Sequence, residues 1–476
     1  MRRLIALAVA ASPIALSACT VGPDYTAPES ATLVPEAWSA NEPAASPTDL
    51  TGWWTQLDDE ELSGLIERAF ASSLTLAEAR ERIVAARARR GIENADRLPR
   101  IDAEASYSRL ETGDEALVVG GAPPGIEADV YSLGAVAGWE LDLWGRVARS
   151  VEAADAEIDF AVEDLRASRV ALAAEVAREL IAIRVIARDL ELINATADTD
   201  RDALDIARSR FEAGFGDALD VARARRDLES NLALIPTLRA DRREAEYRLA
   251  VLLGVAPGSV AVGNADLPRR DIVPERGVPA DLLLRRPDLR RAERELAAAT
   301  ARIGAAQAER FPRVSLSGSI ALQGPDIGDT VNPDAFVLSA GPSIAWPIFE
   351  AGRIQSRVQQ AESIQRQALL RLRSSVIDAL AEVESATVRR AKAERRVDRL
   401  YKAERAAEDA EQLSVDRYTA GQVDFLDVTE ARRSRLAIER SRVAAERDAL
   451  LSLVTLYASL GGGWDPEDAW AVSSRQ

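Results

Sequence analysis

The chain has 476 residues, 47% apolar and 29% charged, and its 60 basic and 77 acidic side chains give a formal charge of −17. Such an acidic surface disfavours binding to nucleic acid, because phosphates require a basic face. There is no histidine and only one cysteine, which excludes imidazole catalysis, Cys–His metal sites and an intrachain disulfide. We therefore expect no enzyme, no metal site and no other cofactor.

The first residues have the pattern of a lipoprotein signal peptide spanning residues 1–18. Two arginines follow the initial methionine, and residues 4–15 form an apolar run of signal-peptide length. This run is shorter than the ~20 residues that a membrane-spanning helix needs. Leu16-Ser17-Ala18 follow it, as at a lipoprotein cleavage site, and the next residue, Cys19, is the predicted lipidation site. The alternative is an ordinary secretory signal with an incidental cysteine.

Most of the remaining chain consists of two copies of one internal repeat, residues 74–254 and 287–461. Corresponding landmarks lie 207 positions apart. The landmark pairs are Trp139 and Trp346, Gly145 and Gly352, Gly214 and Gly421, and Leu253 and Leu460. Self-similarity at a fixed spacing indicates two units with the same order of structural elements.

Each copy predicts a short helix, two strands, a long helix and a last helix. The predicted helices cover residues 74–97, 146–213 and 217–253 in the first copy and 287–310, 353–420 and 424–460 in the second. A proline stops each short helix, and a glycine lies at both ends of each long helix. Apolar residues of the long helix recur at alternating steps of four and three, which is coiled-coil spacing.

The two runs between the short and the long helix alternate apolar residues with small or polar ones, as strands do. In the first copy the apolar face comprises Ile101, Ala103, Ala105 and Tyr107, then Tyr131, Leu133, Ala135, Ala137, Trp139, Leu141 and Leu143. In the second copy it comprises Val314, Leu316, Gly318, Ile320 and Leu322, then Phe336, Leu338, Ala340, Pro342, Ile344 and Trp346. Residues 111–129 and 324–335 are the predicted loops, and Pro342 is expected to mark a bulge or a twist.

Four strands of about ten residues with this alternation suit a membrane-spanning barrel. The alternative is a soluble antiparallel sheet with one buried face. The signal peptide favours the barrel, and so do the Ser, Gly and Ala residues of the opposite face, which suit a water-filled lumen. Four strands cannot close a membrane barrel, since single-chain barrels start at about eight. Several chains must therefore contribute, and three copies would supply twelve strands.

Several motifs outside the strand pattern carry a family resemblance. They are Cys19-Thr20-Val21-Gly22-Pro23-Asp24-Tyr25, Trp53-Trp54, Leu76-Ala77-Glu78-Ala79-Arg80, Leu284-Arg285-Arg286-Pro287-Asp288-Leu289-Arg290, Ala299-Thr300-Ala301-Arg302-Ile303-Gly304 and Phe311-Pro312. With them the sequence resembles the outer-membrane factors of tripartite efflux systems, the TolC/OprM-type family, in its lipoprotein branch.

The resemblance implies a mostly α fold with transmembrane β-strands. The expected assembly is a TolC-like trimeric channel, with a 12-stranded β-barrel of four strands per chain that continues into a long α-helical barrel. A mixed equatorial domain would be drawn from residues 19–73, which follow the signal peptide, from the linker 255–286, and from the C-terminal tail 462–476.

The resemblance also implies a function. The chain is expected to be a passive, gated outer-membrane duct, lipid-anchored and extending into the periplasm. It would export small molecules or drugs delivered by an inner-membrane pump, most often of the RND type, through a periplasmic adaptor protein. Two alternatives stay open: the channel of a type I protein secretion system, and a lipid-anchored structural coiled-coil protein without a pore.

Within the family the duct closes at its periplasmic tip, near the turn between the long and the last helix. The gate residues implied here are Leu426, Asp427, Glu430 and Arg433. Asp427 and Glu430 are three apart and share a helix face, so a trimer would hold two rings of carboxylates, an arrangement that selects cations. Arg433 would hold the closed state through a charged contact.

Helix capping is the alternative role for part of this set. Asp424 has the pattern of an N-cap and Asp427 that of an acid in the first helical turn. The first repeat has Asp217 and Asp220 at the same positions. Glu430 has no such alternative, because its counterpart is an arginine.

Two further groups complete the candidate set. Gly214 and Gly421 fit helix C-caps, and together with Tyr418 they form the helix-turn tips that an adaptor would contact. Trp139 and Trp346 end their strands where an aromatic girdle meets the membrane–water boundary. Plain packing is the alternative for both tryptophans.

Overall fold

The computed structural model of the chain describes residues 20–29, 32–39, 49–113, 125 and 127–465. The signal peptide, Cys19, part of the first predicted loop and most of the C-terminal tail lie outside these residues. No helix of the described part combines the length and the apolarity needed to cross a membrane.

The helices and strands follow the order predicted for the two repeats. In the first half the elements are a 3₁₀ helix (Trp53–Leu57), α1 (Glu60–Ser72), α2 (Leu74–Ala95), β1 (Arg100–Glu111), β2 (Glu127–Leu141), α3 (Arg146–Glu212), α4 (Ala218–Leu232) and α5 (Leu234–Leu252). In the second half they are α6 (Asp281–Arg285), α7 (Pro287–Ala308), β3 (Arg313–Gly324), two 3₁₀ helices (Ile327–Val331 and Pro333–Ala335), β4 (Phe336–Ala345), α8 (Arg353–Thr419) and α9 (Phe425–Ser459).

One predicted helix is wrong. The sequence predicts a continuous helix over residues 217–253, but α4 ends at Leu232 and α5 begins at Leu234. Pro236 explains the break, because its ring has no N–H to donate to the carbonyl of Leu232 and crowds that carbonyl. The second repeat has no proline in this region, and α9 is continuous.

The described residues form two compact units that each draw on both repeats. The first contains the described residues of Met1–Ala27, Ile83–Ala161 and Ala292–Leu372. The second contains those of Pro28–Arg82, Val162–Arg291 and Arg373–Gln476. The sheet belongs to the first unit and the helix-turn tips belong to the second.

The sheet has four antiparallel strands in the order β1-β2-β3-β4. Its register pairs residues of the predicted apolar face with one another across every ladder, as Leu133 pairs with Ala105 and with Leu322, and Ile320 pairs with Leu338. The two predicted strands of each repeat therefore present one common apolar face. Many of its larger side chains are exposed in the single chain, including Ile101, Leu316, Ile344 and Trp346.

Pro342 does not produce the expected bulge. It pairs with Leu316 inside an uninterrupted register that runs from Arg313–Ala345 to Leu322–Phe336. β4 is an edge strand of the single chain's sheet, and edge strands are where sheets accommodate proline. The proline is therefore tolerated in a regular strand.

The second unit has an aromatic core around the 3₁₀ helix. Trp53 is fully buried and stacks on Tyr457 of α9, with ring centroids 5.0 Å apart and planes 15° apart. The Tyr457 hydroxyl donates a hydrogen bond to Gln56 Oε1 at 3.1 Å. Trp54 meets Phe70 of α1 edge to face at 5.6 Å. These contacts join the segment before α1 to the end of the last helix.

Candidate functional site at the helix-turn tips

Both long helices end in the same glycine turn. Gly214 and Gly421 have φ angles of +77° and +74°, in the left-handed region that favours glycine. After α3, Phe215 N donates to Arg210 O at 2.8 Å, and after α8, Gln422 N donates to Arg417 O at 2.8 Å. These bonds satisfy carbonyls at the helix end, so each glycine reverses the chain at a tip.

An aromatic cluster packs beneath the two turns. The ring of Tyr418 lies 5.4 Å from that of Phe425, and the Arg210 guanidinium lies 4.5 Å from the centre of the tyrosine ring. Arg210 also donates to the Tyr418 carbonyl at 3.2 Å. Tyr418 is only 8% exposed, so its side chain joins the two tips from inside rather than offering a surface to a partner.

The predicted gate residues lie on one exposed face of the first two turns of α9. Leu426 is 40% exposed, and Asp427 and Glu430 are also exposed. Neither carboxylate forms an ion pair within the described residues. In the first repeat the matching pair, Asp220 and Arg223, neutralise each other at 3.6 Å. At these two positions the second tip therefore carries two uncompensated negative charges, where the first carries an ion pair.

The expected N-cap is present in the first repeat only. Asp217 accepts a hydrogen bond from Leu219 N at 3.0 Å. Asp424 occupies the N-cap position of α9 with extended backbone, but its side chain makes no capping hydrogen bond. Capping thus does not explain the carboxylate of Asp424.

Arg433 reaches across to the first repeat. It forms an ion pair with Asp227 of α4, which also pairs with Arg226 at 2.8 Å. Asp227 is partly buried, and this burial raises the pKa of its carboxyl against the opposing effect of Arg226. The charged contact expected of Arg433 therefore has a specific partner, Asp227, which the sequence did not single out.

The two tryptophans of the predicted girdle make the same contact in both repeats. The indole of Trp139 donates to Arg97 O at 3.0 Å and that of Trp346 donates to Arg310 O at 3.2 Å. Each ring thus connects the end of the repeat's second strand to the turn that follows its short helix, α2 or α7. Trp346 remains 62% exposed, and the girdle stays a prediction.

The residues after Cys19 are held firmly in the first unit. Arg149, a buried side chain of α3, donates to Asp24 Oδ1 at 2.7 Å, and the Tyr25 hydroxyl donates to Glu293 Oε1 at 2.9 Å. Cys19 itself lies outside the described residues, so its lipidation stays a prediction. A lipid on it would be attached next to a fixed segment.

Sequence reasoning missed Asp227 and Arg210, which make the contacts between the tips. Arg210 belongs to a repeated motif, and the repeat could have marked it. Asp227 has a serine, Ser434, at the corresponding position of the second repeat, so the repeat gives no signal for it.

Comparisons with known proteins agree with this geometry. The family model "Outer membrane efflux protein" matches residues 65–255 and 278–462. Nodulation protein T of Rhizobium leguminosarum bv. trifolii is 32% identical over 463 residues, covering 95% of this chain and 96% of that protein. Outer membrane protein OprJ of Pseudomonas aeruginosa is 30% identical over 472 residues, covering 95% and 94%. The solved structure of the outer-membrane channel OprN matches with a TM-score of 0.86 at 34% identity, covering 94% of this chain and all of that one.

The fold, with its repeated helices, four-stranded sheet and paired tips, is that of a TolC-like outer-membrane channel. The chain belongs to the outer membrane efflux protein family. This confirms the resemblance stated from its motifs, and with it the outer-membrane location and the function as a channel for efflux.

Proposed function

We propose that three copies of the chain form one duct by joining their sheets edge to edge. The observation that carries this proposal is the sheet itself. Within the described residues, β1 and β4 each pair on one side only, and open edges are templates for pairing with another chain. The apolar face exposed in the single chain would then meet lipid, and the small and polar face would line the lumen.

The gate lies at the second-repeat tip. In a trimer Asp427 and Glu430 form two rings of three carboxylates, and Leu426 adds an apolar constriction beside them. Rings of acidic side chains select cations in channels. Support comes from the exposure of all three side chains and from the lack of a neutralising partner among the described residues. The Arg433–Asp227 ion pair holds the two tips of each chain in the closed arrangement.

The partners are a periplasmic adaptor at the tips and an inner-membrane pump of the RND class, and the cargo is small molecules or drugs. The exposed part of each tip suits an adaptor contact, because Phe215, next to Gly214, is 80% exposed. An apolar ring open to solvent is the kind of anchor that protein interfaces use. The lipid of Cys19 would add an attachment to the outer membrane.

Conductance across a planar bilayer tests this function. The full chain in detergent should insert and give low-conductance, cation-selective channels. Replacing Asp427 and Glu430 together by Asn and Gln should raise the open fraction and reduce the cation preference. A protein that gives no conductance steps at any concentration, and stays soluble without detergent, would instead be a structural coiled coil.

A further inference from the structure

The seam between the long and the last helix differs between the two repeats. In the first repeat it is apolar: Ile193 of α3 packs with Ile235 and Leu238, and Leu232 joins this cluster. In the second repeat the residues 207 positions later replace Leu232 by Glu439 and Ile235 by Arg442. The contact thus changes from aliphatic to ionic at these two positions, while the counterparts of Ile193 and Leu238, which are Leu400 and Ala445, stay in an apolar cluster.

Ion pairs cover only part of this ionic seam. Arg442 Nε lies 2.7 Å from Glu404, and its Nη1 lies 3.0 Å from Glu446. Arg435 and Arg432 both contact Glu411, at 3.0 and 3.2 Å. Arg435 lies 3.7 Å from Glu439 Oε1, and Glu408 forms no hydrogen bond or ion pair among the described residues.

The balance of charge is negative. Five carboxylates, those of Glu404, Glu408, Glu411, Glu439 and Glu446, share three guanidinium groups. Two negative charges remain in a partly buried seam. Uncompensated charge in such a place is unfavourable unless it is neutralised or coordinated.

Three of these carboxylates converge. One carboxylate oxygen each from Glu404, Glu408 and Glu439 lie within 4.8 Å of one another. Glu404 and Glu408 are one helical turn apart on α8, and Glu439 faces them from α9. This oxygen–oxygen separation fits three ligands of one Ca²⁺, since two oxygens on opposite sides of the ion, each about 2.4 Å from it, are about 4.8 Å apart.

Glu439 provides an independent observation. Its residue is 8% exposed, and its Oε2 is enclosed with no hydrogen-bond partner in the described part of the chain. A buried acceptor with no donor is costly, and a bound cation would satisfy it.

We propose that Glu404, Glu408 and Glu439 bind one divalent cation of the hard class, with Ca²⁺ favoured. An all-oxygen set suits Ca²⁺ or Mg²⁺, and soft metals are disfavoured because they require thiolate, thioether or imidazole ligands. Ca²⁺ tolerates irregular coordination and can complete its shell with water, whereas Mg²⁺ demands a near-octahedral site. The absence of histidine and the single cysteine bear only on sites made of those residues, so they did not exclude this one.

The cation clamps α8 to α9. It bridges two residues of one helix to one residue of the other, at the seam that is aliphatic in the first repeat. This inference does not depend on the trimer or on the gate, because all three ligands belong to one chain.

The experiment uses the full chain in detergent, freed of divalent ions with a chelator. Ca²⁺ binding is followed by titration calorimetry and by the midpoint of thermal unfolding, with Mg²⁺ as the comparison ion. The test variant is Glu408→Gln, because this exposed side chain can change with little effect on folding. The matched control is Asp409→Asn, which removes the same charge at the next position, where the exposed side chain has no partner among the described residues.

The wild type should bind one Ca²⁺ per chain and unfold at a higher temperature with it. Glu408→Gln should weaken binding by on the order of tenfold or more, and Asp409→Asn should change it less than about twofold. A third variant, Glu439→Leu, restores the residue type of the first repeat. It should fold, lose the Ca²⁺ response and raise the calcium-free unfolding midpoint.

Three results would overturn the proposal. The first is no binding above the background of the chelated protein. The second is equal weakening in Glu408→Gln and Asp409→Asn, which would mean diffuse attraction to an acidic surface. The third is a Ca²⁺ response that survives Glu439→Leu. Tighter binding of Mg²⁺ than of Ca²⁺ would overturn the assignment of the ion.

Discussion

The ion pair between Arg433 and Asp227 is expected to set how often the channel opens. Within the described residues, this ion pair is the only one that joins α9 to α4, and replacing Arg433 by Gln removes it. Asp227 keeps Arg226 at 2.8 Å, so the substitution does not leave a buried carboxylate without any partner. The loss should therefore lie within the range of a partly exposed pair, about 0.2–1 kcal/mol per chain.

Three copies multiply the effect. Each chain contributes about 0.5 kcal/mol. If all three tips open together, the closed state of the Arg433→Gln trimer is therefore about 1.5 kcal/mol less stable than that of the wild type. A difference of 1.4 kcal/mol is about tenfold in an equilibrium constant. The open-to-closed ratio of Arg433→Gln should thus rise by roughly a factor of ten at low salt, and salt should narrow the difference by screening the wild-type pair.

Single-channel recording in planar bilayers measures this ratio directly. The matched control is Arg201→Gln, which breaks an ion pair with Asp198 inside α3 and joins no second helix. Asp227→Asn and the double variant complete a cycle whose coupling term isolates the pair. An unchanged open fraction in Arg433→Gln, or an equal rise in Arg201→Gln, would refute this role.

Three further predictions address charge, backbone and pH. Asp427→Asn with Glu430→Gln should shift the reversal potential in a salt gradient toward zero, because the carboxylate rings that favour cations are gone; an unshifted potential would place selectivity elsewhere. Gly421→Ala should destabilise the fold by about 1–2 kcal/mol, because alanine is unfavourable in the left-handed conformation. Gly91→Ala within α2 should instead stabilise the fold by about 0.5–1 kcal/mol. Chemical unfolding compares the two variants, and equal effects would contradict the left-handed conformation of Gly421. Burial raises the pKa of Tyr457 to about 12. The stability that this tyrosine contributes is therefore complete below pH ~10, where the unfolded tyrosine titrates, and is lost toward pH 12. The thermal unfolding midpoint of Tyr457→Phe should fall less steeply than that of the wild type over this interval, and parallel curves would argue against the shift.

The periodicity of apolar residues and the positions of glycine and proline predicted most of the fold. Helices stop where glycine or proline forces them to stop, as at Gly214 and Gly421, and these are local effects that a single sequence records. The alternation of the strands likewise fixed which face is apolar, and the register of β2 with both neighbours agrees with it. The repeat misled at Pro236, because the second repeat has no proline there and its last helix is continuous, whereas the first repeat breaks into two helices.

The site depends on contacts that no local pattern records. Asp227 lies on a helix 206 positions from Arg433, and its counterpart in the repeat is a serine. In the sequence, Glu439 is one of 77 acidic residues, and no motif marks it. Only the packing of α9 on α8 shows that it is buried and faces Glu404. Pairing across distant helices is a property of the folded chain, so the sequence could suggest charges but not their partners.

The mass of the protein in detergent tests the central claim most directly. Native mass spectrometry of the full chain, released from micelles, should give a single species of three chains, because the open edges of β1 and β4 are paired only when sheets close into a barrel and three sheets supply its twelve strands. A species with the mass of one chain, with its four-stranded sheet intact by circular dichroism, would contradict the account.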